Sequence, residues 1–152
     1  TIRVYNNHLQ SIYFNRANYQ FLDSLKLRYD NEQLDEIRDI SFHLRDAFVK
    51  RAEQADIIAA HISTCPYRVI ICGDFNDTPV SYAYYRLSRD MEDTFTRTGL
   101  GTGRTYIGKF PSFRIDYILH NQGFETLFYT RKKVRLSDHF PIISYLQIQE
   151  KY

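Results

Sequence analysis

The sequence predicts an α/β layered domain built around a mixed sheet, and three observations carry that prediction. Apolar residues recur at spacings of three and four from Ile37 to Ile62, the pattern that lines one face of a helix. Short runs rich in β-branched residues, bounded by turn residues, lie on either side of that stretch. The last third reads as strands in succession. Helices alternating with strands early, and consecutive strands late, suit helices layered on a sheet of mixed direction.

Thr1 to Asn7 alternates Ile2 and Val4 with Arg3 and Tyr5, the period-two signature of a strand with Ile2 and Val4 on its buried face. From Ser11 to Arg38 the pattern loosens at Asn15, Asn18, Asp30 and Asn31, so mostly loop with short helical pieces is expected. The long helix then presents Ile37, Ile40, Leu44, Phe48, Ala52, Ala55, Ile58 and Ile62 to the core, with Arg45, Asp46, Lys50, Arg51 and Glu53 between them. Pro66 stops it, because proline lacks the amide hydrogen a continuing helix uses.

Tyr67 to Cys72 reads as a strand covered on both sides. Thr78 followed by Pro79 predicts a helix start that continues through Tyr82 to Leu87. Gly99, Gly101 and Gly103 loosen the chain ahead of Thr105 and Tyr106. FRIDYILHN, FETLFYTRKKV and PIISYLQI then predict three strands.

At 152 residues, 43% hydrophobic and 25% charged, the chain suits one globular domain and does not suit disorder. A formal net charge of +2 is too small to point to a nucleic-acid partner. Cys65 and Cys72 make neither a disulfide framework nor a CxxC metal or redox site. No stretch approaches the roughly 18 consecutive apolar residues of a membrane span, and no signal-peptide pattern leads the chain. The start, directly in TIRVYNNHL, reads as a strand already under way, so further chain upstream is expected.

Three polar clusters follow or interrupt apolar strands: Asn7-His8, Asp74-Phe75-Asn76, and Ser137-Asp138-His139 with Asp116 on the preceding strand system. Strand ends at one edge of a sheet are where α/β domains commonly place ligands. Asp74 can accept a proton from water, and Asn76 can both donate and accept without ionising, so the pair can fix a nucleophilic water. Asp138 offers the hard oxygen that Mg²⁺ prefers, beside an imidazole that titrates near neutrality. Asp116 could orient His139 by accepting its ring hydrogen, and His8 supplies a second imidazole.

The segments NNHL, CGDFN, RIDYIL and SDHFPI, in this order, resemble the endonuclease/exonuclease/phosphatase family of metal-dependent phosphoesterases. Its members include pancreatic-type deoxyribonuclease, abasic-site endonucleases, sphingomyelinases and inositol-polyphosphate phosphatases. KRAEQADIIAAHI, with Arg51 and Gln54, is similar to the family as well. The resemblance implies a four-layer α/β/β/α sandwich, of which residues 1–152 are the C-terminal portion of a single domain whose N-terminal part is missing. It implies that Asp74 and Asn76 position the attacking water and the phosphate. Asp138 would help hold Mg²⁺ or Mn²⁺, Asp116 and His139 would form a dyad whose imidazole contacts the scissile phosphate, and His8 would donate to a phosphate oxygen or the leaving group. Arg114 joins Asn76 and His8 as a substrate contact.

The chain departs from the family pattern in lacking the first strand that ends in asparagine and the later metal-binding glutamate. A site with one dependable carboxylate should hold Mg²⁺ weakly, so little catalysis is expected from these residues in isolation. The implied substrate is a phosphate ester, with nucleic acid, nucleotide, phospholipid and inositol phosphate not distinguished. An exposed strand edge would allow self-association.

Blander readings stand beside these. GDFN could be a tight turn with local capping, and His8 a hydrogen-bonded structural histidine. His43, His61 and His120 match no motif and are assigned to structure or surface. Arg131, Lys132, Lys133 and Arg135 read as a solvated edge rather than a phosphate groove, and most rings as core rather than base-stacking platforms. The alternative function is a non-catalytic binding module that keeps the fold. A serine hydrolase using Ser137 and His139 is disfavoured, because no GxSxG turn presents the hydroxyl.

Overall fold

The computed structural model describes residues 1–14, 18, 20, 31–108 and 113–150. Strand β1 (Ile2–His8) runs parallel to β2 (Arg68–Asp74), which pairs antiparallel with β4 (Asp116–His120), and β4 pairs antiparallel with the short β3 (Glu92–Asp93). The first sheet is therefore mixed, in the order β1-β2-β4-β3, with β1 at an edge. Strands β5 (Phe124–Arg131) and β6 (Ile142–Ile148) form a separate antiparallel pair with a bulge between Thr126 and Phe128. The expected mixed α/β class is what the chain adopts, and the three late strands divide between two sheets.

Helix α1 spans Asn31–Ser63 and packs on one face of the first sheet, where Ala55 joins Leu9, Val69, Ile71, Tyr117 and Leu119 in the core. It begins earlier than the periodicity from Ile37 indicates. Glu32, Gln33, Leu34 and Glu36 are good helix formers that need no apolar stripe, so spacing alone could not reveal this first turn and a half. Asn18 is buried, and its Nδ2 donates to Asp39 of α1 at 3.0 Å. Asn18 and Gln20 are helical, in line with the short helical pieces expected there, while most of that segment lies outside the described residues.

The buried stripe of α1 also differs. Ala47, Arg51 and Ala55 point inward at a spacing of four, whereas Phe48 is half exposed. The expected core phenylalanine is displaced by an arginine whose charge has a partner inside.

Helix α2 (Tyr82–Ser88) starts one turn later than Thr78-Pro79 suggests. Its cap is Ser81, whose hydroxyl accepts from the Tyr84 N–H, while Ser81 N donates to Thr78 O at 3.0 Å. Thr78 to Ser81 is thus a turn with proline at its second position, a place that suits proline's fixed φ. Helix α3 (Thr94–Thr98), capped by Asp93, and β3 have no counterpart in the sequence prediction.

Alternation along β2 buries Val69 and Ile71 beneath α1 and turns Ile70 and Cys72 to the other face, where they are half exposed rather than covered. That opposite face also carries His120, whose Nε2 lies 2.7 Å from Thr126 Oγ1 of β5, so the second sheet lies on this side. At β1 the expected burial is reversed: Ile2 and Val4 are 43% and 56% exposed, and Tyr5 packs against the core. Both point away from α1 at the sheet edge, and no described element covers them. No helix among the described residues is long and apolar enough to cross a membrane.

Candidate active site at the strand ends

Register brings the polar clusters together. His8 is the partner of Asp74 across β1 and β2, and Asp74 is the partner of Asp116 across β2 and β4, so three side chains form one row on three neighbouring strands. The close approach of β1 and β2 depends on Gly73, whose φ of +132° suits glycine and where a Cβ would collide with the Asn7 backbone. Leu9 N donates to Asp74 O at 3.0 Å and fixes the exit of β1 beside the end of β2.

His139 arrives from the loop before β6. Its Nδ1 lies 2.8 Å from Asp116 Oδ2, and because a carboxylate accepts, Nδ1 carries the hydrogen. Nε2 is left directed toward Asp74, 3.9 Å from Oδ2, and His8 Nε2 stands 3.6 Å from the same oxygen. The loop at Thr105 to Ile107 holds these pieces in place. Thr105 Oγ1 accepts from Ile115 N and Asp116 N, Ile107 N donates to Asp138 O, and Phe140 N donates to Thr105 O. Tyr106 sets its ring edge-on to His139, 5.2 Å between centroids.

The electrostatics follow from this crowding. Burial raises the Asp74 carboxyl above its ordinary range and the Asp116 charge raises it further, against the Asn76 N–H and the two imidazoles, which lower it. Burial pulls the His139 imidazole down, but the bond to Asp116 and the charges of Asp116, Asp74 and Asp138 outweigh it and hold the imidazole above its usual value. The result is one carboxylate with raised proton affinity facing one imidazole biased toward its cation.

Asn76, at a positive φ of 52°, receives the Asp74 carboxylate on its backbone N–H at 2.7 Å and donates one side-chain N–H to Leu9 O at 2.9 Å. It therefore also ties the GDFN turn to the end of β1. Asp138 is exposed and lines the same cavity as Asp74 and His139. Ser137 Oγ accepts from His139 N at 3.0 Å, a local turn bond that leaves it without a base. Arg114, expected as a substrate contact, is placed elsewhere: its guanidinium is buried, bonded to Asp93 at 2.5 Å and surrounded by the rings of Tyr84, Phe95 and Tyr117, and it does not line the cavity. The chain exits into β4 with Phe113 and Ile115 toward the cleft and Arg114 away from it.

The sequence reading gave no role to a second layer around this row. Arg51, 1% exposed, donates from Nε to Asp77 at 2.9 Å and from Nη1 to Gln10 O at 2.9 Å, while Gln54 Oε1 accepts from Gln10 N at 2.8 Å. Helix α1 thereby holds the chain just after His8. An arginine at the four-residue spacing of Ala47 and Ala55 was the available signal. Asp77 sat one residue past the motif.

Asp74, Asp116 and His139 each offer a ligand atom, and these lie within 4.8 Å of one another. Two carboxylates, with Asp138 on the same cavity, form an oxygen-rich donor set that suits a hard divalent ion. The cavity encloses about 380 Å³, and His8, Asp74, Asn76, Asp138 and His139 are among the residues that line it.

A family model described as the endonuclease/exonuclease/phosphatase family matches residues 6–139. The chain belongs to the endonuclease/exonuclease/phosphatase family. Among solved structures, a family protein from Bacteroides vulgatus is similar at 23% identity and a TM-score of 0.56, over 66% of this chain and 44% of that one. A mannosyl-6-phosphatase from Bacteroides thetaiotaomicron is similar at 21% identity and a TM-score of 0.52, over 65% of this chain and 46% of that one. A functionally unknown conserved protein from Enterococcus faecalis V583 has a TM-score of 0.59 at 17% identity, over 67% and 46%. This chain thus spans less than half the length of those structures. A search of curated protein sequences gives no match.

Proposed function

We propose that the chain supplies the C-terminal portion of a metal-dependent phosphoesterase site that hydrolyses a phosphate ester by direct attack of water. One observation carries this reading: the row His8, Asp74, Asp116 with His139 closing on it, all at the strand ends of a family member. Phosphoryl transfer asks for orientation and charge neutralisation more than covalent chemistry, and this row offers both.

Asp74 Oδ2 is the proton acceptor for the attacking water, and its raised proton affinity brings it nearer to useful basicity. Asn76 orients that water through its side-chain amide. His139, held by Asp116 with Nε2 toward Asp74, donates to a phosphate oxygen, and His8 donates to a second oxygen or to the leaving group. Asp138, on the same cavity, would help hold Mg²⁺ or Mn²⁺, which supplies charge neutralisation at the phosphate when bound. The free edge of β1, with Ile2 and Val4 exposed beside it, is the place for self-association.

The test is hydrolysis of a generic phosphodiester by the full-length parent protein and by its Asp74→Asn variant, with and without chelator. The expected loss is about 10²- to 10⁴-fold for the variant, with its folded circular dichroism intact. A wild-type rate in Asp74→Asn, or in chelator, overturns the mechanism. Equal substrate binding with no turnover in either protein favours the non-catalytic module.

A further inference from the structure

The cavity holds far more than a phosphate group, and part of its lining has a different chemistry. Besides the polar row it is lined by Ile12, Phe14, Leu44, Phe48, Phe113 and Ile115. We infer that this apolar lining is a subsite for an aromatic group on the phosphate ester, so that the ligand is an aryl or base-bearing phosphate rather than a polyhydroxylated sugar phosphate. The inference rests on the phosphoesterase reading above and adds the organic part of the substrate.

Three features support it. First, the lining comes from two independent elements: Leu44 and Phe48 from α1, Phe113 and Ile115 from the segment entering β4. Phe113 is anchored there, since Thr105 N and Tyr106 N both donate to its carbonyl. Second, Phe48 and Phe113 are 50% and 44% exposed, large rings of the cavity lining left open where core rings would be covered. Third, the charged groups of the lining outside the polar row are already engaged. Arg51 and Asp77 are bonded to each other, Arg51 also to Gln10 O and Asp77 also to Thr78 N.

The consequence is selective. Hydroxyls of a sugar set against these residues would give up water and meet mainly hydrocarbon, with Ser11 and Thr78 the small polar neighbours, a penalty that a flat ring does not incur. Aromatic contacts with Phe48 and Phe113 would add to the burial of the ring itself. A cavity of about 380 Å³ lies in the range that accepts an organic ligand of modest size.

Calorimetric binding to the full chain in Mg²⁺, with inorganic phosphate, phenyl phosphate, n-butyl phosphate and mannose 6-phosphate as probes, tests this. Phenyl phosphate is expected to bind about tenfold more tightly than inorganic phosphate, and mannose 6-phosphate no more tightly than phosphate. Phe113→Ser and Phe48→Leu should each remove much of that advantage while leaving phosphate affinity unchanged; the leucine keeps an apolar cover on Arg51, so the fold is preserved. Equal binding of phenyl phosphate and mannose 6-phosphate, or of phenyl and butyl phosphate, overturns the aromatic subsite and leaves the phosphoesterase reading intact. Absence of any phosphate binding overturns both.

Discussion

Two arginines of this chain are buried against aspartates, and they do different things. Arg114 meets Asp93 inside a cage of three rings, outside the lining of the cleft, and Tyr84 Oη donates to the same carboxylate at 2.7 Å. Arg51 meets Asp77 under a single ring, that of Phe48, and extends Nη1 to the carbonyl of Gln10, two residues past His8. One joins β3, β4 and α2 into a scaffold, and the other joins α1 to the segment that carries the site. A buried ion pair is weak evidence for function by itself, and what distinguishes these two is the third group each arginine reaches.

This contrast can be broken or sharpened by experiment. Arg114→Ala leaves Asp93 buried without its cation and empties the ring cage, so urea unfolding should show a loss of about 3–5 kcal/mol; a loss below about 1 kcal/mol would mean the cage is not a scaffold. Arg51→Ala should cost about 3 kcal/mol by the same mechanism, at the low end because one ring contacts it instead of three. The sharper comparison uses lysine: Arg51→Lys should weaken inorganic phosphate binding roughly threefold to tenfold through misplacement of Gln10 and His8, whereas Arg114→Lys should leave it unchanged. Arg3, exposed on β1 with its guanidinium 5.5 Å from the centre of the Tyr67 ring, is the solvent-side control; Arg3→Ala should cost about 0.5 kcal/mol.

The smallest effect is electrostatic and appears with pH. His139 titrates above the ordinary 6.5 in the folded chain, so its contribution to stability is fully present below pH 6.5 and fades as pH rises through the raised folded value. Melting temperature measured in chelator should fall across that window. His139→Gln should flatten this part of the profile.

Much of the architecture was visible in the sequence because periodicity reports it directly. The seven residues of β1, the apolar run of β2 and the alternation in β5 and β6 all announce themselves. Elements of two and five residues, β3 and α3, are too short to carry a period. Pattern reading finds alternation without saying which face is inward, and Ile2 and Val4 went the wrong way because the helix packs on the side of Tyr5. His8, Asp74, Asp116 and His139 were legible because each ends or borders an apolar strand. Arg51 and Arg114 were not, since their roles depend on Asp77 and Asp93, 26 and 21 residues away. Charge in a sequence suggests solvent, and only a partner brought close by the fold can reverse that expectation.

The position of β1 has one more consequence. Among the described residues it pairs with one strand, β2, and it carries His8 and leads directly into Leu9 and Gln10. Were this ribbon to lift away, the imidazole would leave the cleft together with the Leu9 anchor and the Gln10 tether to Arg51, while β2, β4 and α1 stayed packed. Amide hydrogen exchange should therefore find β1 opening well before Val69 and Ile71, and the competence of the cleft would track how seldom that edge frays.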